Sequence, residues 1–158
     1  MLTAPWHERD AQSLVERLGT PVYTPLPDTA QDLMDLYGVT AEQAGDGSPD
    51  LVWLLREQTG EVRPYGPGDR LPFGADVFRG HKANDTVLWV ESRRAVISGD
   101  TLVDFGQGLE INERWLPPDV TREEVAEGLR PLLRLPVEHV LATHGGPFDA
   151  AALERALA

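Results

Sequence analysis

The 158-residue sequence predicts an α/β fold, α+β in detail because part of its sheet runs antiparallel, built as one domain over residues 1–158. Three observations predict it. Helical and strand-like apolar periodicities alternate along the chain. The apolar runs Thr86–Val90 and Ala95–Ser98 flank the polar turn Glu91-Ser92-Arg93-Arg94, the pattern of a β-hairpin. His81, Asp100 and His144 each follow an apolar strand-like run, the position where α/β sheets gather ligands.

Each element has its own signal. From Glu8 to Leu18 the apolar residues Ala11, Leu14, Val15 and Leu18 share one helical face, and Gly19 ends the helix. Val22-Tyr23-Thr24 is a brief strand. Asp28 is read as the N-cap of a short helix through Tyr37, with Leu33, Met34 and Tyr37 inward and Gly38 as its stop. Ala44–Asp50 is a loop and Leu51–Glu57 an apolar strand, followed by the turn Gln58-Thr59-Gly60. A Pro/Gly-rich passage runs from Pro64 to Gly74. Ala75–Phe78 is a strand leading into Gly80-His81. Thr121 and Glu124 form a capping-box pattern, with Val125, Leu129, Leu132 and Leu133 on one face and Pro131 forcing a kink or an end. Val137–Ala142 is a strand, Thr143–Pro147 a glycine-rich turn, and Asp149 caps a terminal helix from Ala150.

Composition excludes several functions. Twenty-six acidic against 14 basic residues give a net charge of −12, which argues against nucleic-acid or anionic-membrane partners, since both require clustered Lys and Arg. Residues 1–50 carry nine acidic and two basic side chains, a bias that reads as solvated surface. There is no cysteine, so disulfides, thiolate zinc sites and thiol nucleophiles are excluded. The apolar runs are too short for a membrane span or a signal-peptide core, which makes the cytoplasm the expected compartment. Gly106-Gln107-Gly108 is a lone G-x-G outside a strand-to-helix turn, and Ser13 and Ser98 lack a nucleophile-elbow context. His139 lies mid-strand and is assigned no role.

His81, Asp100 and His144 have the chemistry of a zinc or iron site, through imidazole nitrogen and carboxylate oxygen. Their context is more specific than their identity. GHKANDTVLWVESRRAVISGDTL (80–102), VEHVLATHGGP (137–147) and TAPWHER (3–9) resemble, in order, the GH segment and GDTL hairpin, the closing HG loop, and the T-H-x-H-x-D-H motif of the metallo-β-lactamase superfamily. The resemblance covers nearly the whole chain. It implies an αβ/βα sandwich, shortened at the N-terminal end, in which active members hold two metal ions and a bridging hydroxide. By resemblance, His81 and His144 are metal ligands, and Asp100 is the bridging carboxylate and the candidate catalytic group.

The first motif departs from this pattern. Ala4 and Trp6 stand at the first two histidine positions, Glu8 at the aspartate and Arg9 at the last histidine. Alanine has no donor atom, indole nitrogen has no free lone pair, and arginine stays protonated. A dinuclear centre is therefore not expected. The expected cofactor is none, or one zinc or iron ion on His81, Asp100 and His144, with His7 or Glu8 as an additional ligand. Without a metal, Trp6, His7, Glu8 and Arg9 would line a residual pocket for a small anionic molecule, with Arg9 pairing Asp100 or Glu8. Trp53 and Trp115 are further aromatic candidates for such a pocket, against packing roles.

Three functions follow as expectations. The first is a hydrolase-like protein with weak or no activity and a residual small-molecule pocket. The second is a mononuclear zinc or iron hydrolase of ester or thioester bonds, with Asp100 able to accept a water proton. The third is a non-catalytic module that dimerises to complete a shortened sheet.

Overall fold

The computed structural model describes residues 1–7, 11–45, 47 and 60–158. They form two compact units, Met1–Tyr65 and Gly66–Ala158.

In the first unit, β1 (Val22–Pro25) pairs in parallel with β2 (Val62–Tyr65), with Val22 opposite Val62. Helix α1 (Ala11–Leu18) buries Val15 against Leu2 and Val22, with Ala11 packed at the edge. Leu14 and Leu18, expected on the inward face, are exposed. Of that face Val15 is buried, in a cluster with Leu2 and Val22, while the flanking leucines face solvent. The Tyr65 hydroxyl donates to the Leu2 carbonyl and ties the start of the chain to β2.

Helix α2 (Ala30–Tyr37) starts one residue later than expected. Its N-cap is Thr29, not Asp28. The Thr29 hydroxyl accepts the Asp32 N–H at 3.0 Å, and Asp32 accepts the Thr29 N–H at 2.9 Å. Asp32 lies three residues after Thr29, the spacing a reciprocal capping box requires, and that decides the register. Gly38 stops the helix in the left-handed conformation, as read. Leu33 and Met34 are half-buried. A short helix α3 (Ala41–Ala44), capped in the same way by Thr40 and Gln43, had no counterpart in the sequence reading. The expected strand Leu51–Glu57, Trp53, and most of the loop before it lie outside the described residues.

The second unit is built on a six-stranded sheet. Its strands are β3 (Arg70–Leu71), β4 (Ala75–Lys82), β5 (Asp85–Val90), β6 (Ala95–Ile97), β9 (His139–Leu141) and β10 (Pro147–Phe148), in the order β10-β9-β6-β5-β4-β3. Only β6 and β9 pair in parallel. A separate ribbon joins β7 (Leu102–Val103) to β8 (Glu110–Ile111). Helix α4 (Arg122–Leu129) and helix α5 (Ala150–Ala156) bury Val125, Leu129 and Leu153 with Val87, Trp89, Val96 and Val140 of the sheet.

The hairpin of β5 and β6 turns through Glu91–Arg93, with Arg94 left-handed at φ 48°. The Thr121–Glu124 capping box and the Asp149 cap are both present. Leu133 is exposed, against expectation. Pro131 sits at the start of a 3₁₀ stretch, Arg130–Arg134, whose tighter three-residue turn rotates Leu133 off the α-helical face while Leu132 stays buried. Among the described residues, no helix is long and apolar enough to cross a membrane.

Candidate functional site

Strand β4 is longer than its apolar run. Its pairing with β5 shifts register between Arg79 and Lys82 and resumes at Lys82 opposite Asp85. His81 therefore lies inside the strand rather than after it, and is 3% exposed. The tight return from Lys82 to Asp85 brings the residue four positions on back beside the imidazole. Asp85 Oδ2 is 2.7 Å from His81 Nδ1.

Asp85 is fully buried and is held from the next landmark as well. The Thr101 hydroxyl donates to Oδ2 at 2.6 Å, and the Asp100 N–H donates to Oδ1 at 3.1 Å. Thr101 Oγ1 also accepts the His81 backbone N–H at 2.9 Å and lies 3.2 Å from His81 Nδ1. A buried carboxylate is tolerated only when its lone pairs are met by donors, and the GDT turn supplies two of them. Gly99 allows that turn. It is left-handed at φ +54°, and a side chain there would meet Asp85 Oδ1 at 2.5 Å.

Asp100 and His144 come together at the neighbouring strand ends. His144 Nε2 is 3.6 Å from Asp100 Oδ1. That distance is too long for a hydrogen bond. It is close to the separation, roughly 3.3–3.5 Å, of two atoms bound tetrahedrally to one zinc ion at about 2.0–2.2 Å each. The Thr143 hydroxyl lies 3.0 Å from the same Asp100 oxygen and 2.6 Å from the Gly99 carbonyl. His144 is 38% exposed at its side chain, whereas Asp100 is 11% exposed, so the pair opens to solvent on the histidine side.

An aromatic cluster surrounds the imidazole. Phe105 and Trp115 lie 5.5 Å and 5.6 Å from the His144 ring and 5.9 Å from each other. The loop after β7 holds Phe105 there. Asp104 accepts the Gly106 and Gly108 N–H groups at 2.6 and 2.9 Å, and its own N–H donates to the His144 carbonyl at 2.9 Å. The N–H groups of Gly108 and then Gly106 hold the Asp104 carboxyl below its ordinary pKa. Trp115 thus packs against a candidate site residue, and the lone G-x-G serves a turn.

The other sequence candidates lie in the first unit. Ala4 is completely buried. His7 Nδ1 is 3.1 Å from Thr3 Oγ1, and the Trp6 and His7 rings meet edge to face at 6.1 Å. Glu8 and Arg9 lie outside the described residues, and so does the expected Arg9 ion pair. Among the described residues, no three His, Asp or Glu side chains converge as a metal-binding group. The structure thus places Asp100 with His144, and His81 with Asp85.

Sequence reasoning missed Asp85, Thr101, Thr143 and Phe105. Three of these had a readable signal: Asp85 is four residues from His81 across a hairpin return, and Thr101 and Thr143 adjoin the landmark residues. Nothing in the sequence marked Phe105.

No family model and no curated protein matches the chain. Solved structures do. TTHA1623 in a di-iron-bound form is 24% identical at a TM-score of 0.54, covering 95% of this chain and 70% of its own. ST1585, an archaeal metallo-β-lactamase superfamily protein from Sulfolobus tokodaii, is 17% identical at 0.58, covering 96% and 62%. A metallo-β-lactamase from Pontibacter korlensis is 14% identical at 0.53, covering 99% and 78%. The chain therefore has the metallo-β-lactamase fold, as the motif resemblance implied.

Proposed function

We propose that this chain is a hydrolase-like protein of the metallo-β-lactamase fold in which the dinuclear centre has degenerated, leaving weak or no hydrolase activity and a small-molecule pocket. One observation supports this reading above others. At the positions of the histidine motif, Ala4 and Trp6 stand where two imidazoles would be, and Ala4 has no exposed surface. A metal site that loses two imidazoles cannot recover them from alanine and indole. The Asp100 and His144 pair, flanked by Phe105 and Trp115, would bind a ligand with a flat apolar body and a polar end. A preference for an anionic ligand is proposed from the arginine at position 9 of the sequence, independently of this pair. The chain spans 62% of the Sulfolobus protein's length, so any likeness of activity is itself part of the proposal. A cytoplasmic setting is proposed on the same footing.

A second reading is favoured by the 3.6 Å spacing of His144 Nε2 and Asp100 Oδ1, which suits two ligands of a single ion. In it, Asp100, His144 and His81 of the second unit would hold one zinc or iron. Such an ion would polarise an ester or thioester and lower the pKa of a bound water.

Elemental analysis of protein purified without chelator separates the two. The first reading expects well under one equivalent of any transition metal. The second expects one equivalent of zinc or iron that is lost in His144→Ala.

A further inference from the structure

The buried network beside the candidate site fixes the protonation geometry of His81. We infer that Asp85 is a positioning residue that holds the proton on His81 Nδ1 and leaves Nε2 as the only acceptor atom this histidine presents.

Every partner of Nδ1 is an acceptor. Asp85 Oδ2 lies 2.7 Å away. An ionised carboxylate accepts and cannot donate, so an unprotonated Nδ1 would set two lone pairs against each other at hydrogen-bond distance. Thr101 Oγ1 is 3.2 Å away, and its single hydroxyl proton is already given to Asp85 Oδ2 at 2.6 Å. The hydroxyl therefore also turns a lone pair toward the ring. The carboxylate oxygens meet further donors on their other sides. It accepts from Thr101 and from the Asp100 N–H, both inside a fully buried pocket. A neutral imidazole carries one proton, and with that proton on Nδ1 the lone pair stands on Nε2.

The arrangement is built into both landmark motifs. A side chain at Gly80 would run into Thr101 Oγ1 and the Asp85 carbonyl, and one at Gly99 would meet Asp85 Oδ1. The two motif glycines thus make room for this carboxylate and its hydroxyl partner. The His81 backbone N–H, donating to Thr101 Oγ1 at 2.9 Å, fixes where the ring begins. A carboxylate behind an imidazole sets the tautomer and the orientation of the ring. His81 can then take a hydrogen bond, a proton or a metal through Nε2 alone. The inference concerns the metal-free side chains and holds under either functional reading.

The test is the ring spectrum of ¹⁵N-histidine-labelled, metal-free protein, recorded well above the histidine titration range, with His81 assigned through His81→Gln. Wild type is expected to show His81 as the Nδ1–H tautomer. Asp85→Asn keeps the shape but presents an amide N–H to Nδ1, so the ring is expected to switch to Nε2–H. Thr101→Val, which keeps the carboxylate, is expected to retain Nδ1–H. A wild-type ring in the Nε2–H form, or an unchanged tautomer in Asp85→Asn, overturns the inference. If Asp85→Asn does not fold, wild type and Thr101→Val decide it, because loss of Nδ1–H in either one is incompatible with the assignment to Asp85.

Discussion

Replacing Gly99 by alanine tests whether the buried carboxylate network is as tightly built as its distances state. Gly74 provides the control in the same unit. Both glycines are left-handed, at φ +54° and +78°, but nothing lies within 4 Å of a side chain at position 74. Alanine there costs only the left-handed conformation, about 1–2 kcal/mol. At position 99 the new methyl would stand 2.5 Å from Asp85 Oδ1 and 3.2 Å from the Thr86 carbonyl, where ordinary contact begins at 3.4 Å. Asp85 cannot swing aside, because Thr101, His81 and the Asp100 N–H hold it. Overpacking of this kind adds about 1–3 kcal/mol, and a displaced charge-assisted hydrogen bond carries the figure to the upper end. Urea denaturation at 25 °C, followed by the fluorescence of buried Trp89, reads both variants. Gly99→Ala is expected to lose about 1–3 kcal/mol more than Gly74→Ala. Equal losses would refute the packing argument and loosen the case for a fixed Asp85.

Other expectations follow from single features. Leu129→Ala, at a fully buried position in α4, should destabilise the second unit by about 2–5 kcal/mol in the same assay. Thr121→Ala removes a helix cap and should cost about 0.5–2 kcal/mol. Glu124 is held below its ordinary pKa by the Thr121 N–H and then the Thr121 hydroxyl. A depressed carboxylate contributes stability above its unfolded pKa and loses it as pH falls through the folded value. Acid titration should therefore release the start of α4 below the ordinary glutamate pKa of 4.5, and not above it. The same sign applies to Asp104 below 3.8, where Phe105 is expected to leave the His144 ring, readable as a change in Trp115 fluorescence.

Several elements were legible because local chemistry decides them. The hairpin around Glu91–Arg94, the Thr121 capping box and the Asp149 cap each depend on residues within four positions of one another. The fold was legible through three ordered motifs rather than through periodicity. What escaped depended on tertiary pairing. His81 was read as lying beyond its strand because the apolar run stops at Phe78, while the register shift that carries β4 to Lys82 is set by its partner. Leu14 and Leu18 follow the helical period but are exposed, because the period marks a face and not how much of it a partner covers. Asp28 and Thr29 are both good caps, and the choice fell to Asp32, which reciprocates only with Thr29. In the site, His81, Asp100 and His144 were read together from their motifs, and the structure sets Asp100 beside His144, whereas Asp85 had no role until the hairpin return placed it against His81.

The central claim is that the dinuclear centre has degenerated. Its most direct test is the number of transition-metal ions per chain in protein purified without chelator, by elemental analysis. The expected result is well under one equivalent. Two equivalents of zinc or iron would contradict the account, because Ala4 and Trp6 supply no ligand for a second ion.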